Sequence, residues 1–305
     1  MAPPIIYRLG LVLARIETTE GNFLQPSSTD AVLYQNLTIE PVAGTSIDRP
    51  NERGGLETYS SSPVGTHSIV NFSVELAASG TIDTPPAFAN LLRGCGMSET
   101  ITANTQVRYR LADEDFESLS LELYIDGIRT RLSGARGTFT CSMDNNTNPM
   151  LNFTFTGRKT TPIDADNVIT DVSDYQRPLV INYDNTTFTL DGTSPSLAAL
   201  TIDLGNTVTH RDMVNREDVI ITDRQCGGSV TFDMPPVSDE DYIEKSQDGD
   251  EMAFSLNHGS SNGERVEWTC STTQLTGAAM QNGDGVLQLS GGLRFVGNSL
   301  TLTFR

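Results

Sequence analysis

Between residues 117 and 156 apolar and polar positions alternate with a period of two, the mark of extended strands with one dry face. Over 117–125, Leu119, Leu121, Leu123 and Ile125 fall on one side; Ser118, Ser120, Glu122 and Tyr124 fall on the other. Asp126-Gly127 follows, a pair that tolerates the positive φ values of a two-residue hairpin turn. On the return, Ile128, Thr130 and Leu132 alternate with Arg129 and Arg131. Gly134-Ala135-Arg136-Gly137 reads as a turn, and a third run alternates Phe139, Cys141 and Met143 with Thr138, Thr140 and Ser142. After a polar turn at 145–149, Leu151, Phe153 and Phe155 oppose Asn152, Thr154 and Thr156. Four consecutive antiparallel strands are predicted, each with one wet face.

Elsewhere the pattern is sparser. Leu9, Leu11 and Leu13 mark an edge or joining strand, and 31–40 a strand closed by Pro41. Residues 44–66 read as a long polar loop, a length usually tied to function. Alternation resumes over 68–78 through Ile69, Phe72, Val74 and Leu76, with a slip near Asn71 that reads as a bulge. A helix is predicted over 84–94: Thr84 can cap it, Pro85-Pro86 suit its first turn, and Gly94 can end it. Its Phe88, Leu91 and Leu92 share a face that would plug the apolar side of the sheet.

The acidic stretch 162–178 reads as a linker between units at 1–161 and 179–305, because landmarks of the first unit recur in the second. Leu37-Thr38-Ile39-Glu40 returns as Leu200-Thr201-Ile202-Asp203. Each precedes a long loop of mixed charge: Asp48, Arg49, Asn51, Glu52 and Arg53 in one, Arg211, Asp212, Arg216 and Glu217 in the other (205–228). A second helix is predicted over 238–245. Thr140-Cys141-Ser142 matches Thr269-Cys270-Ser271, and the run ending at Phe155 matches the one ending at Phe304.

Composition narrows the function. The 305 residues carry 20 Lys and Arg against 39 Asp and Glu, a net charge of −19, which argues against a groove that grips nucleic acid. No apolar run approaches the roughly 20 residues that cross a bilayer, and the N-terminus lacks the features of a secretory signal, so folding in a cytoplasm is expected. The four cysteines, Cys95, Cys141, Cys226 and Cys270, have no metal-ligand spacing and read as reduced, packed thiols. Neither a nucleophile elbow accompanies His67, His210 and His258 nor a phosphate-loop lysine the glycine pairs Gly227-Gly228 and Gly291-Gly292, which read as turns. No cofactor, metal site or catalytic role is expected, which leaves a binding module or an assembly protein.

Leu37-Thr38-Ile39-Glu40-Pro41, Gly65-Thr66-His67, Pro86-Ala87-Phe88-Ala89-Asn90-Leu91-Leu92-Arg93-Gly94-Cys95-Gly96 and the segment from Asp126 to Gly137 resemble the tail tube proteins of long-tailed phages with non-contractile tails. In the second half Leu200 to Asn206, Ile221-Thr222-Asp223-Arg224 and Gln274-Leu275-Thr276-Gly277 extend the resemblance over nearly the whole chain. It implies a mainly β chain of two tandem tail-tube domains, each an antiparallel β-sandwich or half-barrel with one flanking helix. Family rings hold six such domains, so two per chain imply trimeric rings stacked into a virion tube. The implied partners are further copies of the chain, the tape-measure protein, tail terminator and distal tail proteins, and duplex DNA passing without specificity.

An acidic channel would repel every phosphate alike, and Glu122 is a candidate to face it. Arg129 and Arg131 either pair with Glu122 or lie outside. By position the two long loops correspond to the family's ring-stacking loop. A β-sandwich adhesin or carbohydrate-binding virion module, and the tube of a contractile system, are the alternatives; a buried Trp268 would leave the adhesin without its aromatic platform.

Overall fold

The computed structural model describes residues 4–51 and 54–305; the loop positions Glu52 and Arg53 lie outside them. The chain is mainly β, 53% strand and 6% helix. Its first half contains β1 (Gly10–Ile16), β2 (Ala31–Val32), β3 (Gln35–Ile47), β4 (Ser62–Glu75), α1 (Ala89–Gly94), β5 (Met97–Thr102), β6 (Gln106–Leu111), β7 (Leu119–Ile125), β8 (Ile128–Asp144), β9 (Met150–Lys159) and β10 (Ile163–Asp164). The second contains β11 (Thr186–Leu190), β12 (Leu197–Asp203), β13 (Asn206–Met213), β14 (Arg216–Arg224), β15 (Gly227–Asp233), α2 (Tyr242–Asp248), β16 (Met252–His258), β17 (Val266–Gly283), β18 (Val286–Phe295) and β19 (Thr301–Phe304).

Hydrogen-bonded neighbours run β3-β4-β9-β8-β7-β1 in the first half. They run β12-β15-β18-β17-β16-β11 in the second, the same order by position. The registers also correspond. Ile39, Val70, Phe155 and Gly137 stand opposite one another along the first sheet, as Ile202, Gly228, Leu293 and Leu275 do along the second. On this register Leu151 answers Leu289, and Cys141 answers Met280. The sequence matches to Cys270 and to the run ending at Phe304 are therefore out of register. Short runs of Thr, Cys and apolar residues recur on any half-buried strand, and the bulges that displace them carry no strong signal.

Several expected turns are strand. Gly134–Gly137 lies inside the 17-residue β8, where a register shift between Ser133 and Arg136 bends the strand and Gly134 adopts φ +61°. Gly227-Gly228 and Gly291-Gly292 sit within β15 and β18. A Cβ on Gly228 would lie 1.9 Å from the Thr201 carbonyl oxygen, so glycine here admits a close neighbouring strand. The second long loop is largely a hairpin arm, β13–β14, while the first extends the β3–β4 hairpin at both ends and keeps a connecting loop over 48–61. Their polar sequences lack alternation because neither face of an arm is fully covered. α1 is shorter than expected, and α2 starts later, where the Asp241 carboxylate accepts from the amides of Ile243 (3.1 Å) and Glu244 (2.9 Å).

The polar side of β7 is buried, not wet. Glu17 accepts from Ser118 Oγ (2.7 Å), Ser120 Oγ (3.0 Å), the Gly134 amide (2.8 Å) and the Gly21 amide (2.7 Å), so the carboxylate keeps its partners when water leaves.

Buried apolar residues from both halves form one contiguous core. Strands also cross between the halves, β8 with β12 and β6 with β19. Phe139 meets Trp268 at 6.4 Å between ring centroids, and Phe304 meets Phe88 at 6.1 Å and Tyr109 at 5.8 Å. The chain between the halves is not loose: β10 pairs with β8, and the Asp171 amide donates to the Ser28 carbonyl at 3.0 Å. All four cysteines are free and buried, and burial pushes the Cys226 thiol up to about 12.

Trp268 is fully buried at the junction. Trp268→Ala is expected to cost about 3–5 kcal/mol, and urea denaturation should show both halves unfolding in one transition. Two separated transitions in the native chain would contradict the shared core.

Candidate functional site: a polar sheet face and two arms

The distal part of β8 is bordered by β9 on one side and by β12 on the other, where Leu200, Thr201, Ile202 and Asp203 oppose Met143, Ser142, Cys141 and Thr140. That pairing fuses the two half-sheets into one of eight strands, β3-β4-β9-β8-β12-β15-β18-β17. One face packs on the core through Phe72, Phe153, Phe139, Ile202, Val230 and Leu289. Strand alternation then turns the intervening residues to the opposite face.

That face is a field of small polar side chains in cross-strand register. Ser73, Asn152, Thr140 and Asp203 form one row, and Ser142, Thr201 and Ser229 another. Ser73 Oγ donates to Asn152 Oδ1 (2.7 Å), Thr154 Oγ1 to Asn71 Oδ1 (2.7 Å) and Asn71 Nδ2 to Thr38 Oγ1 (3.2 Å). Glu40, Glu75, Asp144, Asp203 and Asp233 add negative charge to this side, against Arg294. Gln288 Nε2 donates to Asp233 Oδ1 at 3.1 Å. The arrangement offers many weak contacts and almost no cationic ones.

The β13–β14 arm folds back over the first half. At its base Asn206 Nδ2 donates to the carbonyls of Cys95 (2.6 Å) and Gly137 (2.9 Å), and its Oδ1 accepts from Arg224 Nε (2.8 Å). Arg224 continues to the carbonyls of Ala112 (2.9 Å) and Gly96 (3.2 Å). From below, the buried Arg136 donates to Glu20 (2.9 Å), to the Phe116 carbonyl (2.7 Å) and to the Val219 carbonyl on the arm. Midway along the arm, His210 stacks on His67 of β4 with centroids 4.8 Å apart. Leu56 in the first loop and Val214 at the tip of the second arm are almost fully exposed.

The family described as Phage tail tube protein matches residues 8–304. The chain belongs to this family. No curated protein sequence matches it. Membership makes the chain a structural component of a virion tail that assembles into a tube, and a structural family points away from enzymatic work. No helix among the described residues is long and apolar enough to cross a membrane, and they include no group of three His, Cys, Asp or Glu side chains placed to hold a metal ion.

In this tail tube protein the expected residues are scattered. Asp48, Arg49 and Asn51 lie in the loop joining β3 to β4. Arg211, Asp212, Arg216 and Glu217 cluster near the tip of the second arm, where Glu217 meets His210 (3.1 Å) and Arg216 meets Asp218 (2.6 Å). Phe88, Leu91 and Leu92 are buried around α1, as a plug requires. Glu122 departs from expectation: it is fully buried on β7, away from the polar face, and bonded to Arg131 Nε (2.8 Å) and Gln25. Arg129 lies 3.7 Å from it, so both arginines pair inward. An open-channel position is excluded for Glu122 in this chain because the 17–25 segment and its own partners cover it.

The sequence reading missed Glu75, Asp144, Asp203 and Asp233 on the polar face, and Asn206, Arg224 and Arg136 under the arm. Asp144 and Asp203 each close an alternating run, a visible signal; the arm anchors join residues some 70 to 130 positions apart and leave none.

Asn206→Ala would strand two buried carbonyls and one guanidinium bond, a loss of about 2–4 kcal/mol. Amide exchange should rise across 206–224 first; unchanged exchange there would contradict the anchoring role.

Proposed function

We propose that the chain is the repeating subunit of a long, non-contractile phage tail, three chains to a ring and rings stacked into a tube. Duplex DNA passes through it during ejection. The two repeat halves act as two tail-tube domains that share a core and give each ring pseudo-sixfold symmetry. The observation that carries this reading is the β8–β12 seam, which joins one half-sheet to the next with a common polar face.

Three such sheets supply roughly 24 strands. At about 4.8 Å per strand the backbone circle is roughly 37 Å across, before strand tilt widens it. Side chains take about 5 Å from each wall, half the roughly 10 Å between packed sheets. The remaining bore, roughly 27 Å, admits duplex DNA. Its lining is the Thr, Ser and Asn field with Glu40, Glu75, Asp144, Asp203 and Asp233. DNA carries about one charge per 1.7 Å, and such a wall gives it no cationic well. The arms serve ring stacking through Asp48, Arg49, Asn51, Glu52, Arg53, Arg211, Asp212, Arg216 and Glu217. The exposed Leu56 and Val214 at their ends support that role. Tape-measure, terminator and distal tail proteins complete the partners, and assembly takes place in the host cytoplasm.

Deleting residues 51–59 is expected to leave a folded chain that does not build tubes in electron micrographs; full-length tubes from this variant would refute the stacking assignment. Asp144→Lys with Asp233→Lys is expected to permit assembly but slow DNA release, with recovery as salt rises. Release at the native rate in low salt would remove the channel role from this face.

A further inference from the structure

The β13–β14 arm is tied to the first half at two places of different chemistry. Its base is held through Asn206 and Arg224, and neither side chain changes charge near neutral pH. Its middle is held by His210, whose ring lies on that of His67 with planes 29° apart and whose side chain is only 4% exposed. Imidazole is the side chain whose charge ordinarily changes between pH 5 and 8.

The partners of the two rings fix where their hydrogens sit. A carbonyl oxygen only accepts, so His67 donates from Nδ1 to the Gly65 carbonyl at 2.9 Å. A carboxylate also only accepts, so His210 donates from Nε2 to Glu217 Oε1 at 3.1 Å. Both rings are satisfied while neutral. On the arm, strand alternation puts Asp212 and Glu217 on the face of His210, and Arg211, Arg216 and Asp218 on the other. From β8, Arg136 bonds the carbonyl of Val219, the cross-strand neighbour of His210, and Glu20. β9 brings Arg158, which lies against Gly21, and Lys159 at its end. β3 opposes His67 with Ala43, and β4 has no other charged residue before Glu75. One added proton is offset by Glu217 at His210. A second charges both stacked rings beside Arg136.

We infer that the His67–His210 stack is an acid-released latch: once both rings are charged, the arm lifts from the first half beyond its anchored base. The closed arm takes the second proton less readily than the open one, so opening is favoured as pH falls. A two-stranded hairpin is marginal by itself in water, so a lifted arm frays. The groups at its end, the exposed Val214 among them, then lose their fixed place. The latch is a contact within one chain and stands independently of the tube reading.

Amide exchange of the full chain, corrected for the intrinsic effect of pH, tests it between about pH 7.5 and about pH 5. Protection over 208–221 is expected to fall about tenfold or more, the change that one pKa unit of interaction between the rings carries, while β9 and β16 keep theirs. His67→Phe, which stacks but cannot charge, should keep the arm closed in acid. Glu217→Gln, at an exposed position that leaves the fold intact, should move opening to higher pH by removing the charge that offsets the first proton. An arm equally protected at both pH values, or an opening pH that Glu217→Gln leaves unmoved, would overturn the latch. Loss of protection in β16 together with the arm would also overturn it. That result would assign the acid response to the buried His258, which bonds the Leu179 carbonyl (3.1 Å) and Thr186 Oγ1 (2.9 Å).

Discussion

A strand's amides and carbonyls need partners on both sides, and the fold follows from where β8 finds them. Over 140–142 it is paired twice, with β9 from its own repeat and β12 from the next. That second pairing makes two similar sheets into one and brings Trp268 of the second half against Phe139 of the first. Without it the halves would still meet through β6–β19 and the shared core, but each half-sheet would end in an exposed edge in the middle of the molecule.

The length and bending of two strands make the seam possible. β8 and β17 run 17 and 18 residues, far more than one layer uses. Their proximal parts pair with β7 and β16, and their distal parts with β9 and β18. Irregularities at Ser133/Arg136 and Thr276/Ala279 interrupt the registers along the way. A bulge adds a residue, bends the strand and increases its twist, which lets one strand serve both layers. The cost is polar backbone and side chain left inside the bend. Glu17 and Asn206 satisfy it from outside β8, at the Gly134 amide and the Gly137 carbonyl.

This division explains what could be read from sequence. The Asp126-Gly127 turn and the alternation of Phe139, Cys141, Leu151 and Phe153 were legible because turn chemistry and a one-sided core are local. The glycines of 134–137 were misleading, since glycine marks a turn and a bulge alike. Alternation also found the polar side of β7 but could not see that the 17–25 segment covers it. Glu122 therefore looked like a channel residue. The arms read as loops because a hairpin without a buried face has no period to detect. The β5–β6 hairpin, paired to the last strand of the chain, left no signal of its destination.

The burial of Glu122 sharpens the electrostatic argument. The net charge of −19 suggests a strongly acidic wall, yet Glu17 and Glu122 are spent on internal bonds, and the polar face is mostly hydroxyl and amide. In the proposed channel, acids spaced along such a face would act on phosphates across a screening length of about 8 Å at physiological salt, so their repulsion would be modest. Cationic contacts would act more strongly, because each releases counterions and multiplies affinity along a moving polyanion. Apart from Arg294, the basic side chains near the sheet are turned away from that role: Arg129 and Arg131 onto Glu122, Arg136 onto Glu20 and buried carbonyls, and Arg224 onto Asn206. If this face lines the proposed channel, smooth passage depends less on how many acids line the wall than on how completely the arginines have been occupied elsewhere.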